Sequence, residues 1–406
     1  MEKILVKGGT PLFGTVTVSG SKNAALPIIF ATLTARGVSR LSRVPDILDV
    51  RVALELICSL GARVTRISDS LYIDTREIYF NPPNEALVSK IRASTYLIGA
   101  MLARLGRCPL GDFGGCNFSK RPIDLHILAA KAFGASLNGG ELSLQSPHPA
   151  EISFAKPSVG ATANSLIMAS AIDGTSRIRG CALEPHIMAL INFLRSMGAK
   201  ISVNEGEITV IGGNLHGGSC EIVGDMIEAG SYLAMGLVSG GKICVKGCDT
   251  NQLESFAEFL RSVGALVEIT DKGISAERAE SCPASVTAAP YPAFPTDLQP
   301  IASVILASHS GGEVFDEVFP ERFGYLDELS CFGLNSERRE GSARIYPSVF
   351  RPASARSPDL RGGIACLLCA LCAKGESEIY YPERILRGYE LLEEKISSLG
   401  GKISFD

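Results

Sequence analysis

Apolar and polar positions along the chain follow one arrangement that recurs six times. In each unit a helix of small apolar residues precedes a short strand. A second helix then ends on a glycine within a tripeptide such as Leu-Gly-Ala, and one or two further strands follow. Successive closing glycines lie 64 to 73 residues apart, at Gly61, Gly134, Gly198, Gly264, Gly333 and Gly400. This spacing predicts repeated supersecondary units, and each glycine suits a helix C-terminus that needs a positive φ.

The two helices of each unit differ in how their apolar residues are distributed. The second helices, such as NFLRSMGA and EFLRSVGA, alternate apolar and charged residues at helical spacing, which is typical of a surface helix. The first helices, such as NSLIMASAI and GSYLAMGLV, are apolar on every side and must be buried. We therefore expect an α/β chain in which sheets surround buried helices.

The composition is consistent with two domains of three units each. A chain of 406 residues is too long for one comfortable hydrophobic core, and the boundary is predicted near residues 225–230. Apolar residues make up 46% and charged residues 20%, as in soluble globular proteins. The net charge of −4 argues against a broad nucleic-acid-binding surface.

The apolar and cysteine-rich segments predict neither a membrane span nor a metal site. The most apolar stretch, residues 362–373, is shorter than the roughly 20 residues of a membrane helix, and the N-terminus lacks the apolar core of a signal peptide. Twelve cysteines in such a chain indicate reduced thiols and a cytoplasmic location. Cys366, Cys369 and Cys372 are interpreted as buried packing residues. The five histidines form no zinc pattern, so we predict no metal and no cofactor.

Cations gather in loops and directly before the apolar helices. A helix N-terminus presents free N–H groups and a partial positive charge. Together these positions predict a pocket for a multiply charged anion, a phosphate or a carboxylate, although any single loop arginine could instead be solvated or paired. The cations are Lys22, Arg121, Lys156, Arg322, Arg361 and Arg387.

Two acidic or nucleophilic positions have both a chemical and a structural interpretation. Cys116 follows two glycines and precedes Lys120 and Arg121, so it is either a turn residue or an exposed reactive thiol. Asp297 lies just before an apolar helix, where it either caps that helix or takes part in chemistry.

Eight stretches, in order along the chain, together resemble the MurA family, the UDP-N-acetylglucosamine enolpyruvyl transferases. They are SGSKNAALP, IRAS, GGC with RPIDLH, PSVGAT, YPAFPTDLQ, VFPERF, DLRGG and RGYE. The resemblance implies a two-domain inside-out α/β barrel built from six βαβαββ repeats. One domain would be 22–227, carrying the Cys116 loop, and the other 1–21 plus 228–406.

The resemblance also implies a reaction and the residues that perform it. The enolpyruvyl group of phosphoenolpyruvate would pass to the 3-hydroxyl of UDP-N-acetylglucosamine, with release of phosphate. Cys116 would protonate the donor and be the thiol that fosfomycin alkylates, Asp297 would accept the hydroxyl proton, and Lys22 and Arg387 would complete the catalytic set. The remaining substrate-binding residues would be Asn23, Arg92, Arg121, Pro122, Ile123, Asp124, Leu125, Lys156, Ser158, Val159, Gly160, Val318, Arg322, Asp359 and Arg361, with Glu184 supporting the cations.

Two other functions remain open at this point. The same chemistry could act on another uridine nucleotide in specialised metabolism, because several residues around the donor positions depart from the usual family pattern. A non-catalytic paralogue that binds a nucleotide sugar is the other possibility. In every case the predicted partners are small molecules rather than nucleic acid or membrane, and the chain is expected to be a monomer or a weak homo-oligomer.

Overall fold

The computed structural model describes residues 2–115, 121–204, 206–271 and 273–406, and these fall into two compact units. One unit comprises Gly20–Gly115 and Arg121–Val223. The other comprises residues 2–19 and Gly224–Asp406. The ranges expected from the sequence place the same two breaks slightly later, before residue 22 and after residue 227. Cys116 lies outside the described residues.

Strands are short and spread along both units. In chain order they are β1 (Lys3–Gly8), β2 (Phe13–Thr17), β3 (Val38–Ser42), β4 (Arg63–Ile67), β5 (Ser70–Asp74), β6 (Arg107–Pro109), β7 (Ser136–Asn138), β8 (Glu141–Ser143), β9 (Glu151–Ser153), β10 (Gly174–Arg179), β11 (Lys200–Asn204), β12 (Glu207–Gly212), β13 (Ser219–Glu221), β14 (Lys242–Lys246), β15 (Ala265–Thr270), β16 (Gly273–Arg278), β17 (Ala284–Ala288), β18 (Gly312–Asp316), β19 (Asn335–Arg339), β20 (Ser342–Tyr346), β21 (Ser354–Arg356), β22 (Gly375–Tyr380) and β23 (Lys402–Phe405).

Helices alternate with these strands. In chain order they are α1 (Lys22–Ala31), α2 (Leu48–Ser59), α3 (Glu85–Val88), α4 (Tyr96–Leu105), α5 (Asp124–Ala132), α6 (Val159–Ala171), α7 (Pro185–Ser196), α8 (Met226–Ser239), α9 (Glu254–Ser262), α10 (Gln299–Ser308), α11 (Leu326–Cys331), α12 (Leu360–Cys372), α13 (Glu383–Leu386) and α14 (Leu392–Ser398).

Each unit contains three sheets among the described residues, and all but the antiparallel β6-β8-β7 sheet combine parallel and antiparallel pairs. In the 20–223 unit the strand orders are β13-β3-β5-β4, β6-β8-β7 and β11-β12-β10-β9. In the other unit they are β15-β16-β14-β2, β17-β18-β20-β19 and β21-β22-β1-β23. The mixed α/β class predicted from the sequence is therefore confirmed.

The first two strands belong to the unit that contains the end of the chain. β1 is a central strand, antiparallel to β22 on one side and to β23 on the other. β2 forms the edge of another sheet and pairs parallel with β14. The 2–19 segment thus supplies strands to two sheets whose other members lie more than two hundred residues later in the chain.

The predicted buried helices are α1, α4 and α6 in one unit and α8, α10 and α12 in the other. Nearly every side chain of α8, α10 and α12 is buried, as expected for helices that are apolar on all sides. Cys366 and Cys369 are fully buried within α12, which confirms their packing role. Among the described residues, no helix combines the length and hydropathy that a membrane span requires.

The six closing glycines all adopt the left-handed backbone that their position predicts. Their φ angles lie between 89° and 113°. This conformation is strained for residues that carry a Cβ atom, so these positions favour glycine.

Two of these glycines offer a matched test of how tightly the helix ends pack. A Cβ atom at Gly264 would lie 1.9 Å from the carbonyl oxygen of Glu280, whereas a Cβ atom at Gly400 would meet nothing within 4 Å. Gly400→Ala should lower the free energy of unfolding by about 1 kcal/mol through backbone strain alone. Gly264→Ala should cost about 3 kcal/mol, because overpacking against backbone adds to that strain. Urea denaturation of the two variants measures the difference, and equal losses would contradict the packing argument.

A buried ion pair ties the 2–19 segment to two helices of its own unit. The Nζ of Lys395 in α14 lies 2.6 Å from Oε1 of Glu228 in α8 and 2.6 Å from Oγ of Ser19. The backbone N–H of Ser19 donates to the other carboxylate oxygen of Glu228 at 2.7 Å. Glu228 is 1% exposed, and burial raises its pKa to about 7 against the opposing charge of Lys395.

Candidate active site

Asp297 lies between two buried arginines in the unit that contains residues 224–406. It occupies a single 3₁₀ turn, Thr296–Leu298, directly before α10. Nη1 of Arg322 donates to Oδ1 of Asp297 at 3.0 Å, and Nη2 of Arg361 donates to Oδ2 at 2.9 Å. The side chains of Arg322 and Arg361 are 2% and 4% exposed, whereas that of Asp297 is 28% exposed. The cluster therefore presents one oriented, partly accessible carboxylate.

The loop after β18 fixes Arg322. Asp316, the last residue of β18, accepts hydrogen bonds from the backbone N–H groups of Val318 (2.9 Å) and Phe319 (2.7 Å). It also accepts from Oγ1 of Thr296 at 2.6 Å. Nη1 of Arg322 donates to both the carbonyl and hydroxyl oxygens of Thr296 at 3.1 Å. These contacts lock the turn that carries Asp297 to the loop that carries Arg322.

The start of α12 fixes Arg361. Asp359 caps this helix, because its Oδ1 accepts from the backbone N–H groups of Arg361 (2.8 Å) and Gly362 (3.1 Å). The Tyr389 hydroxyl lies 3.5 Å from Nη1 of Arg361 and 2.6 Å from Oγ of Ser231. Burial lowers the pKa of the Arg361 guanidinium, but the hydrogen bond to Asp297 and the charges of Asp297, Tyr389 and Asp225 together outweigh it, so the pKa lies above its ordinary value.

Three further expected site residues, Val318, Asp359 and Arg387, also lie in this unit. Val318 follows β18, and Arg387 directly follows α13. The structure shows Asp359 as a helix cap, so its expected contact with substrate stays a prediction.

Lys22 and Asn23 are the first two residues of α1 in the 20–223 unit. Nζ of Lys22 lies 3.3 Å from Oδ2 of Asp49, and both side chains are largely buried. The cation expected at this helix start is thus paired with a carboxylate that was not among the expected site residues.

Arg92 binds the chain on both sides of the segment that carries Cys116. Its Nη1 donates to the carbonyl oxygen of Phe113 at 3.2 Å, and its Nη2 donates to the carbonyl oxygens of Arg121 and Pro122. Burial and the neighbouring charge of Arg121 lower the pKa of Arg92 to about 10. Arg92 therefore acts as a clamp on the two flanks of this segment.

The starts of α5 and α6 hold the remaining expected residues. Asp124 and Leu125 open α5, and Ile123 precedes them. Ser158 caps α6, where its Oγ accepts from the N–H of Ala161 at 3.4 Å, and Val159 and Gly160 follow as the first helical residues. Lys156 is exposed. Within the described ranges, no group of three or more His, Cys, Asp or Glu residues is arranged to hold a metal ion.

The residues that orient these groups were not among the expected site residues. Thr296 and Asp316 position Arg322, and Tyr389 contacts Arg361. Tyr389 lies inside the RGYE stretch that was singled out in the sequence, but the sequence did not predict its contact with Arg361. Thr296 precedes the apolar helix α10, and Asp316 ends strand β18. Polar residues are common at such positions, so the sequence alone gives little indication that these two residues orient an arginine.

Comparison with known proteins identifies the family. The model of the family EPSP synthase (3-phosphoshikimate 1-carboxyvinyltransferase) matches residues 6–396. The chain belongs to the EPSP synthase family. Its relatives in this family include the UDP-N-acetylglucosamine 1-carboxyvinyltransferase of Pelodictyon phaeoclathratiforme, 38% identical over 421 residues that cover 100% of this chain and 98% of the relative. The protein of the same name from Wolbachia pipientis subsp. Culex pipiens is 37% identical and covers 99% of both chains.

Solved structures of enolpyruvyl transferases share the fold. The enolpyruvyl transferase NikO from Streptomyces tendae superposes with a TM-score of 0.89 at 23% identity, over 99% of this chain and 98% of that one. EPSP synthase from Acinetobacter baumannii superposes with a TM-score of 0.75 at 16% identity, over the full length of both. These likenesses establish the EPSP synthase fold for this member of the family.

Proposed function

We propose that the protein is a UDP-N-acetylglucosamine 1-carboxyvinyltransferase. It transfers the enolpyruvyl group of phosphoenolpyruvate to the 3-hydroxyl of UDP-N-acetylglucosamine and releases phosphate, as the first committed step of peptidoglycan precursor synthesis in the cytoplasm. The observation that carries this proposal is the full-length identity of 37–38% with relatives of that name. The two compact units serve as the two domains of the enzyme.

Asp297 is the proposed general base. As the 3-hydroxyl oxygen bonds to C2 of phosphoenolpyruvate, its proton passes to the Asp297 carboxylate. Arg322 and Arg361 each hold one oxygen of this carboxylate, which fixes its direction and leaves its partly exposed side to the acceptor. A positioned acid or base contributes about 10²–10⁴-fold to a reaction rate.

The cations neutralise the charge of the donor. Each guanidinium carries five N–H donors, so an arginine that binds Asp297 retains others for a phosphate or carboxylate oxygen. Preorganised donors of this kind supply a large share of catalysis where charge develops. The set is Lys22, Arg121, Arg322, Arg361 and Arg387.

Cys116 is the proposed general acid. Its thiol proton passes to C3 of phosphoenolpyruvate, which makes C2 electrophilic and yields a tetrahedral ketal after attack. The C2–O bond to phosphate then breaks as a methyl proton returns to the Cys116 thiolate, which restores the double bond, and the proton held by Asp297 leaves with the phosphate. The clamp that Arg92 makes on residues 113, 121 and 122 supports this role, because it fixes both flanks of the segment.

Most of the residues that we assign to the acceptor nucleotide belong to the 20–223 unit. We propose that Arg121, Pro122, Ile123, Asp124 and Leu125 line the uracil. Lys156, Ser158, Val159 and Gly160 bind the diphosphate at the start of α6, and Asn23 and Val318 contact the sugar. Helix N-termini suit phosphate groups because their first N–H groups lack intrahelical partners.

Phosphate release tests the proposed function. The purified protein should release phosphate from phosphoenolpyruvate at least 100-fold faster with UDP-N-acetylglucosamine than with UMP or UDP, and form one enolpyruvyl product per phosphate. Preference for UMP would indicate a different nucleotide acceptor. Absence of phosphate release with every acceptor would indicate a non-catalytic paralogue.

A further inference from the structure

A buried histidine at the start of α5 has its tautomer set by an asparagine of α6. Oδ1 of Asn164 accepts from the backbone N–H of Gly99 at 2.9 Å, which fixes the orientation of the amide. Its Nδ2 donates to the carbonyl oxygen of Thr95 at 2.9 Å and lies 2.6 Å from Nδ1 of His126. Because the amide nitrogen can only donate, Nδ1 of His126 must accept, and the proton of the neutral ring resides on Nε2.

The surroundings of His126 keep the ring neutral. The residue is 5% exposed. Burial and the positive charge of Arg92 lower its pKa to about 4, while Asp124 acts in the opposite direction. Between pH 5 and 8 the ring is therefore a hydrogen-bond donor without net charge.

The Nε2 side of the ring lies against the first turn of α6. A Cβ atom built on Gly160 would lie 2.9 Å from Nε2 and 2.8 Å from Cε1 of His126. The ring can take this place because residue 160 is a glycine. Nε2 of His126 and the backbone N–H groups of Val159 and Gly160 find no hydrogen-bond acceptor among the described residues. Three donors thus lie together at one helix start.

We propose that Nε2–H of His126 donates to a phosphate oxygen held at the N-terminus of α6, and that Asn164 is the positioning residue that keeps this proton on Nε2. The ligand class is a diphosphate ester. The inference rests on the proposed function, which assigns a nucleotide diphosphate to this helix start. A neutral donor binds a phosphate without the desolvation cost of burying a further cation.

Affinity for UDP provides the first test. In titration calorimetry at pH 7.5, His126→Phe should raise the Kd of the full chain for UDP by 10-fold or more. His148→Phe is the matched control, because His148 is an exposed histidine of the same unit, and its Kd should equal that of the wild type. An unchanged Kd for His126→Phe would overturn the proposal.

The tautomer provides a second test that needs no variant to fold. Long-range ¹H–¹⁵N spectra of the wild-type chain labelled at histidine should show Nε2 of His126 protonated and Nδ1 unprotonated from pH 5.5 to 8. UDP should shift the Nε2–H resonance. A proton on Nδ1 in the free protein would overturn the role of Asn164. In Asn164→Asp, where a carboxylate faces Nδ1, the proton should move to Nδ1 and UDP affinity should fall with it.

Inorganic pyrophosphate separates failure of this inference from failure of the proposed function. If pyrophosphate shifts the His126 resonance but UDP does not bind, the anion site stands and the nucleotide assignment is wrong. If UDP-N-acetylglucosamine is turned over and neither UDP nor pyrophosphate shifts the resonance, the function stands and the inference is wrong.

Discussion

Asp297→Asn is expected to lower kcat for phosphate release by about 10³-fold, in the range of a lost general base. The amide retains the shape of the side chain but cannot take up the hydroxyl proton. It also leaves Arg322 and Arg361, both buried, without the carboxylate that each now binds. Asp297→Glu should restore part of the rate, because the proton acceptor is regained at a displaced position.

The control for Asp297→Asn is Asp327→Asn, which removes one negative charge from an exposed pair with Arg338 in the same unit. Its kcat should match that of the wild type. If Asp297→Asn retained more than a tenth of wild-type kcat, the carboxylate would not be the base. Its pairing with the two arginines would then be purely structural.

Lys395→Met is expected to lower the free energy of unfolding at pH 8 by about 3 kcal/mol, because it leaves a buried carboxylate without its partner. Glu228 is 1% exposed and its pKa is already raised to about 7 by burial. Loss of the ammonium raises that pKa further, so at pH 6 the carboxyl takes up a proton and the destabilisation should be smaller. Urea denaturation at the two pH values measures both effects.

The matched control for Lys395→Met is Arg63→Met, which breaks an exposed pair with Glu77. Such pairs contribute about 0.5 kcal/mol or less. The double variant Glu228→Gln with Lys395→Met should recover much of the lost stability, since no unpaired charge remains. Equal losses for Lys395→Met and Arg63→Met would show that the buried pair is energetically unimportant.

The architecture could be predicted because it depends on residue patterns within single elements. An apolar stretch such as GSYLAMGLV has no polar face, so α8 had to be buried. A glycine that follows an amphipathic helix, such as Gly264, had to adopt positive φ. Both predictions depend only on the sequence of the element itself and not on which other segment packs against it.

The pairing of side chains could not be predicted in the same way. Asp297, Arg322 and Arg361 were each predicted as site residues from the sequence. They lie on three separate segments of the chain, and no local sequence pattern predicts that these segments are close together in the fold. Asn164 is a polar residue inside an apolar helix, which signals a buried hydrogen bond. Its partners Gly99 and His126 follow only from the packing of α4, α5 and α6.

The pairing of β1 with β22 and β23 has a consequence for folding during synthesis on the ribosome. A ribosome completes Gly20–Val223 before it reaches β14, so that unit has every strand it needs early. β1 is made before β22 and β23, so its apolar Ile4 and Val6 lack the strands with which β1 pairs until these last strands have been made. A fragment that begins at Gly224 would lack the strand between β22 and β23 and expose two unpaired edges, the kind of surface that drives aggregation.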